Sequence, residues 1–223
     1  LNDYLNIFYQ TERRTMIMNR KKVLKKVLPL ALSAVLFTGG LPAVTVFADA
    51  ATTPITWDFS QGLGAWKFNG IWDYSGTPTV TYDSSVGDGA IKIAVDYSNV
   101  SKESWSEVKL SDGDINPNTP LKLDNCNYLT FDFYYNPSSM HVGSFKTKLY
   151  IKSSDGKEVV NVCPDIDLAS GLSVPGTSLK KVKVKVPFNA VTADAVDLEV
   201  SVVGSFTDYK GDVYVDNITL GQK

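Results

Sequence analysis

From Ile55 onward apolar residues recur at every second position. Ile91, Ile93, Val95 and Tyr97 alternate with Lys92, Ala94 and Asp96; Leu129, Phe131, Phe133 and Tyr135 obey the same rule, as do Phe145, Thr147, Leu149 and Ile151. A period of two is the signature of a strand with one buried and one wet face. The rhythm continues at Val182, Val184 and Val186, set between lysines, and at Val196, Leu198, Val200 and Val202, set between Asp197, Glu199 and Ser201. Clusters such as Asp83-Ser84-Ser85, Gly87-Asp88-Gly89, Ser111-Asp112-Gly113-Asp114, Asp155-Gly156 and Lys210-Gly211-Asp212 read as turns between these runs. No segment sustains a helical stripe. Many short strands without β-α alternation predict an all-β fold, an antiparallel two-sheet β-sandwich of jelly-roll type.

The first fifty residues have a different character. Arg20, Lys21, Lys22, Lys25 and Lys26 lead into the apolar run Val27 to Phe37, and Ala48-Asp49-Ala50 supplies small residues after it. This pattern predicts a secretory signal peptide over residues 16–50, cleaved after Ala50, and hence a secreted, extracellular protein. Residues 1–15 precede the first methionine and are set aside as an upstream segment. The expected folded module is 51–223.

Charge narrows the choice of ligand. Residues 1–50 hold seven of the 22 cations and three of the 24 acids, so the remainder carries about −6 and contains no Arg. Without guanidinium groups there are no bidentate clamps for phosphate or carboxylate, and without a basic face nucleic acid is excluded. One His and two Cys exclude the usual zinc site. Cys126 and Cys163 are compatible with one disulfide or with two free thiols.

Several aromatics stand out of phase with the core. In Trp105-Ser106-Glu107-Val108-Lys109-Leu110, Val108 and Leu110 take the inner face, which puts Trp105 with Glu107 and Lys109 on the wet one. An exposed indole flanked by hydrogen-bonding groups suits the C–H face and hydroxyls of a pyranose ring. Trp72, in Gly70-Ile71-Trp72-Asp73, is a second platform of this kind. Trp57 and Trp66 are expected in the core. Tyr128, Thr130, Asp132 and Tyr134 lie opposite the core set of their strand, where they line either a groove or an ordinary solvated face. Asp58 in the first strand and Asp216 in the last would meet if the terminal strands are neighbours. With carbonyls from the Gly87-Asp88-Gly89 turn they would form an oxygen site for structural Ca²⁺, or else remain two separate surface residues.

The ordered set Trp57-Asp58-Phe59-Ser60, Gly70-Ile71-Trp72, Val86-Gly87-Asp88-Gly89-Ala90-Ile91, Ser104-Trp105-Ser106-Glu107-Val108, Val202-Val203-Gly204 and Tyr209 through Ile218 resembles family 27 carbohydrate-binding modules over nearly all of residues 54–221. The resemblance implies a non-catalytic β-sandwich that binds β-1,4-mannan and galactomannan through surface Trp residues, holds a structural calcium ion and accompanies a secreted endo-β-1,4-mannanase. It assigns sugar stacking to Trp72 and Trp105 and calcium to Asp216, with Asp58 beside it. Glu107 and Lys109 are the expected polar partners. A third Trp platform of the family is missing from the middle strands, and Tyr134 or Tyr150 is the candidate replacement.

Two other classes compete. A sandwich glycosidase needs two carboxylates across the scissile bond, and the wet-face acids Glu107, Asp132, Glu158 and Glu199 show no pairing in sequence. His141 has no acid beside it in its loop. A protein-binding adhesin would instead expose a broad apolar patch.

Overall fold

The computed structural model describes residues 53–222. They form eleven strands in chain order: β1 (Ile55–Trp57), β2 (Trp66–Trp72), β3 (Thr79–Asp83), β4 (Ala90–Asp96), β5 (Ser106–Asp112), β6 (Leu121–Tyr135), β7 (Ser144–Ser153), β8 (Glu158–Val162), β9 (Leu172–Ser173), β10 (Lys180–Ser205) and β11 (Lys210–Gly221). The described helical structure is confined to three single 3₁₀ turns. The expected signal peptide lies outside the described residues.

Every strand pair among the described residues is antiparallel, and the architecture turns on β10. The two valine runs expected as separate strands belong to this one strand of 26 residues. Its first half pairs with β6 (Val182 opposite Phe133) and its second half with β5 (Val202 opposite Val108) and β7 (Val202 opposite Thr147). Register irregularities between Pro187, Val191 and Ala193 mark the bend, where Pro187 can supply no ladder N–H.

One layer is therefore β9, the first half of β10, β6, β11 and β4, then β3, with β1 on the far end of β11; the other is β2, β5, the second half of β10, β7 and β8. Their inner faces share one core. Phe131, Phe133, Ile91, Ile93, Val213 and Val215 from the first layer meet Val108, Leu110, Phe145, Leu149, Ile151 and Val202 from the second, all fully buried. Trp66 is buried as expected, and half-buried Trp57 packs edge-on against it at 5.6 Å. Cys126 and Cys163 are free thiols. Lys210-Gly211-Asp212 opens β11 instead of forming a turn; the chain reverses just before it, at Phe206 to Tyr209.

Candidate functional site

The outer face of the second layer carries the site. In β2 the register slips between Phe68, opposite Leu110, and Ile71, opposite Val108, so that Asn69 and Gly70 together face one position of β5. Gly70 takes φ +105°, a conformation open to glycine. This bulge adds one residue and reverses the facing of the last two residues of the strand. Trp72 consequently lies opposite Glu107 on the outer face and is 64% exposed. In unbroken register it would have turned inward with Phe68.

Trp105 stands just ahead of β5, half-buried. Its indole Nε1 donates to Glu107 Oε2 at 3.0 Å, and Ser201 Oγ donates to Glu107 Oε1 at 2.6 Å. Glu107 is 2% exposed, and none of the described lysines reaches ion-pair distance from it. Both carboxylate oxygens are thus engaged within the protein. Glu107, expected as a polar partner of the sugar, lines the depression and accepts from the Trp105 indole N–H and from Ser201. Lys148 from β7 stands 6.0 Å from the Trp105 ring centroid, within cation–π range. Trp72, Trp105, Glu107, Lys109 and Lys148 together line an open depression of about 350 Å³.

A polar network continues from there. Asn69 Nδ2 donates to Glu199 Oε1 at 2.6 Å, and Lys109 Nζ lies 3.9 Å from Glu199 Oε2. Burial raises the Glu199 carboxyl above its ordinary range, with Lys109 pulling against it. Tyr150 is on this face too, opposite Glu199 and Asn161. It sits six residues along β10 from Ser205, roughly 20 Å from the Trp105 end. Lys148, Asn69, Glu199 and Ser201 are not among the expected site residues. Alternation places them outward, but no local signal says that β7 and β5 flank the same stretch of β10.

Tyr134 is elsewhere. It lies on the outer face of the first layer, 2% exposed, packed with Val86, Ala90 and Tyr214 under Val174 and Leu179. The loops before β4 and before β10 cover it, so the structure does not bring it to the aromatic depression. Asp132 on the same strand is likewise enclosed, 2.7 Å from Lys181 Nζ and 3.2 Å from Lys183 Nζ.

Of the two acids expected at a cation site, Asp58 follows β1 and Asp216 lies in β11. β1 lies beside β11 with Trp57 opposite Ile218, which brings Asp58 level with Asn217. Asp58 is exposed, and its Oδ1 accepts from Ser60 N and Oγ at 3.1 and 3.0 Å, bonds that hold the carboxyl below its ordinary range. Asp216 is fully buried and accepts from Asn217 N and Nδ2 at 2.6 and 2.9 Å. Burial pushes its carboxyl up to about 6; the Asn217 amide and Lys181 oppose that rise, and Asp132 and Asp88 add to it. A Cβ on Gly87 would stand 2.6 Å from Asp216 Oδ2, so the turn backbone presses on this carboxylate. Among the described residues no three His, Cys, Asp or Glu side chains form a metal cluster. A hard cation takes oxygen ligands, and the buried Asp216 carboxylate is one such donor.

His141 has an acid partner that its loop sequence does not show. Its Nδ1 lies 3.0 Å from Asp208 Oδ2, and His141 N and Val142 N donate to Asp208 Oδ1 at 2.8 and 3.2 Å. The pair ties the β6–β7 loop to the β10–β11 loop.

The family model described as Carbohydrate binding module 27 matches residues 48–223. Among solved structures, the chain is similar to TmCBM27, a module with specific mannan recognition (18% identity, TM-score 0.58, covering 77% of this chain and 99% of that one). It is similar also to Caldicellulosiruptor saccharolyticus CBM27-1 in complex with mannohexaose (16% identity, TM-score 0.58, 76% and 97%). A module specific for non-crystalline cellulose, CBM28, matches at 19% identity and TM-score 0.56 over 74% and 93%. At these identities the likeness is one of fold. No curated protein sequence matches the chain.

Proposed function

The chain belongs to carbohydrate binding module family 27, whose members are non-catalytic, and on that premise we propose that the open face of its second layer binds β-1,4-mannan or galactomannan by stacking sugar rings on Trp72 and Trp105. The observation that carries this reading is the pair of indoles at one depression, Trp72 standing in solvent and Trp105 held rigid by Glu107. A ring fixed before binding loses little entropy when a sugar covers it. Covering one aromatic contributes roughly 1.5–3 kcal/mol, while a micromolar complex needs about 8 kcal/mol, so hydrogen bonds must add to the two platforms. Lys109, Lys148 and the Asn69–Glu199 pair are the polar groups at hand, with Tyr150 available to a chain long enough to reach it. The net negative charge and the lack of Arg in residues 51–223 favour an uncharged polymer.

Affinity electrophoresis against mannan, galactomannan, glucomannan and cellulosic glucans tests this. Retardation by the mannans without release of reducing ends is the expected result. Retardation by glucans alone would move the assignment toward non-crystalline cellulose, and retention by no glycan would sink it. We further propose that the module is secreted and directs a covalently linked β-mannanase to its substrate, a reading supported by the segment 16–50 and by the family resemblance. We assign Ca²⁺ a structural part at Asp216 and the Gly87 turn, where a cation would offset the charge of a buried carboxylate.

A further inference from the structure

We propose that Asn69 is a site of spontaneous deamidation, a modification that disables the open face by undoing the bulge that presents Trp72; its effect on binding rests on the reading of that face as a mannan site. Asn69 is the one asparagine of the sequence followed by glycine. In such a pair the backbone nitrogen of the glycine can reach the side-chain amide carbon before it, because no Cβ crowds the approach. The fold leaves this pair open. Asn69 and Gly70 sit in the bulge, passed over by the register between Phe68 opposite Leu110 and Ile71 opposite Val108. Among the described residues β2 pairs only with β5, so it is an edge strand and no second ladder holds the bulge. Asn69 is exposed to water, and a Cβ built on Gly70 would meet nothing within 4 Å.

The reaction needs only water. The Gly70 nitrogen attacks Asn69 Cγ; the new N–Cγ bond forms, the Cγ–Nδ2 bond breaks, and the nitrogen leaves as ammonia with the proton that Gly70 gave up. Water then adds across one of the two C–N bonds of the succinimide ring. Opening at Cγ leaves an ordinary aspartate in place of Asn69, and opening at the main-chain carbonyl leaves an isoaspartate, with the chain running through the former side chain. No electron is gained or lost.

Both products strike the site. Asn69 Nδ2 now donates to Glu199 Oε1 at 2.6 Å; a carboxylate in its place sets two acids against each other, with Lys109 near only the far oxygen of Glu199, at 3.9 Å. The isoaspartate adds a main-chain atom to the bulge. The orientation of Trp72 depends on the length of chain in that bulge, so the indole loses its place opposite Glu107.

The test holds the purified protein in warm, mildly alkaline buffer and follows it by peptide mapping, isoaspartyl methyltransferase labelling and calorimetric titration with mannohexaose. The peptide carrying Asn69 is expected to gain the acid mass ahead of every other asparagine peptide. The isoaspartyl form, separated by ion exchange, is expected to bind mannohexaose about tenfold more weakly, the loss of one aromatic contact. Asn69→Gln, whose longer side chain closes the ring far more slowly, is expected to keep its own starting affinity throughout. An Asn69 amide that outlasts the other asparagines overturns the proposal, as does parental affinity in the isoaspartyl form. Failure of the fresh parent protein to bind mannohexaose would remove the mannan reading, while the mass change would still report on Asn69.

Discussion

The two outer faces of the sandwich start from the same kind of sequence and reach opposite ends. In β6 and β11 the outward positions hold Tyr134, Asp132, Tyr214 and Asp216; around β5 and β2 they hold Trp105, Glu107, Lys109 and Trp72. Aromatic and charged residues alternate with the core in both. On the first layer two loops close over the face and bury it; on the second nothing among the described residues covers Trp72. An outward aromatic therefore becomes core or platform according to what crosses above it. The charges divide in the same way. Asp132 is neutralised by two lysines and Asp216 is left with a raised pKa, whereas Glu107 serves to orient an indole.

This contrast predicts stability effects on the covered face and binding effects on the open one. The largest is Tyr134→Ala, which opens a cavity under the loops and lowers unfolding free energy by about 3 kcal/mol. Denaturant titration measures that loss, and glycan affinity below the transition stays at the parental value. A drop in affinity without a loss of stability would place Tyr134 in the site after all. Next is calcium. At a free concentration a hundred times its dissociation constant it stabilises the fold by about 2.7 kcal/mol, read as a higher melting temperature in Ca²⁺ than in chelator. Asp216→Ala abolishes the difference. Identical melting curves with and without the ion would end the calcium assignment.

On the open face, Trp105→Ala costs about 2 kcal/mol of mannohexaose binding, as expected for a central aromatic anchor, with the melting temperature nearly unchanged. Equal affinity in calorimetry would remove Trp105 from the site. Smaller again is Glu107→Ala, about 1–2 kcal/mol in binding through a mobile Trp105 ring and an unpaired indole N–H. Glu107→Gln retains most of the affinity, since its amide can accept from Trp105 and donate to Ser201. A loss as large in Gln as in Ala would instead make the carboxylate a direct ligand contact.

Much of the fold is legible along the chain. Period-two alternation places Val108 and Leu110 inward and Trp105 outward, and the structure agrees at each. The terminal strands, whose adjacency the sequence raises only as a condition for Asp58 and Asp216 to meet, are neighbours. Three features escape such a reading. The valine runs of β10 read as two strands because a bend at Pro187 looks like a break. The part played by Glu107 is hidden because its partner Ser201 is 94 residues away. The acid facing His141 lies 67 residues further on.

The sequence by itself determined the all-β class and the inward and outward sets of most strands, because side-chain parity is a local property. Only the tertiary structure decided that Trp72 joins the outer face through a bulge, that Tyr134 is roofed over, and that Asn69 meets Glu199. Those outcomes depend on which strands become neighbours and which loops cross them, and they are set by packing between residues far apart in the chain.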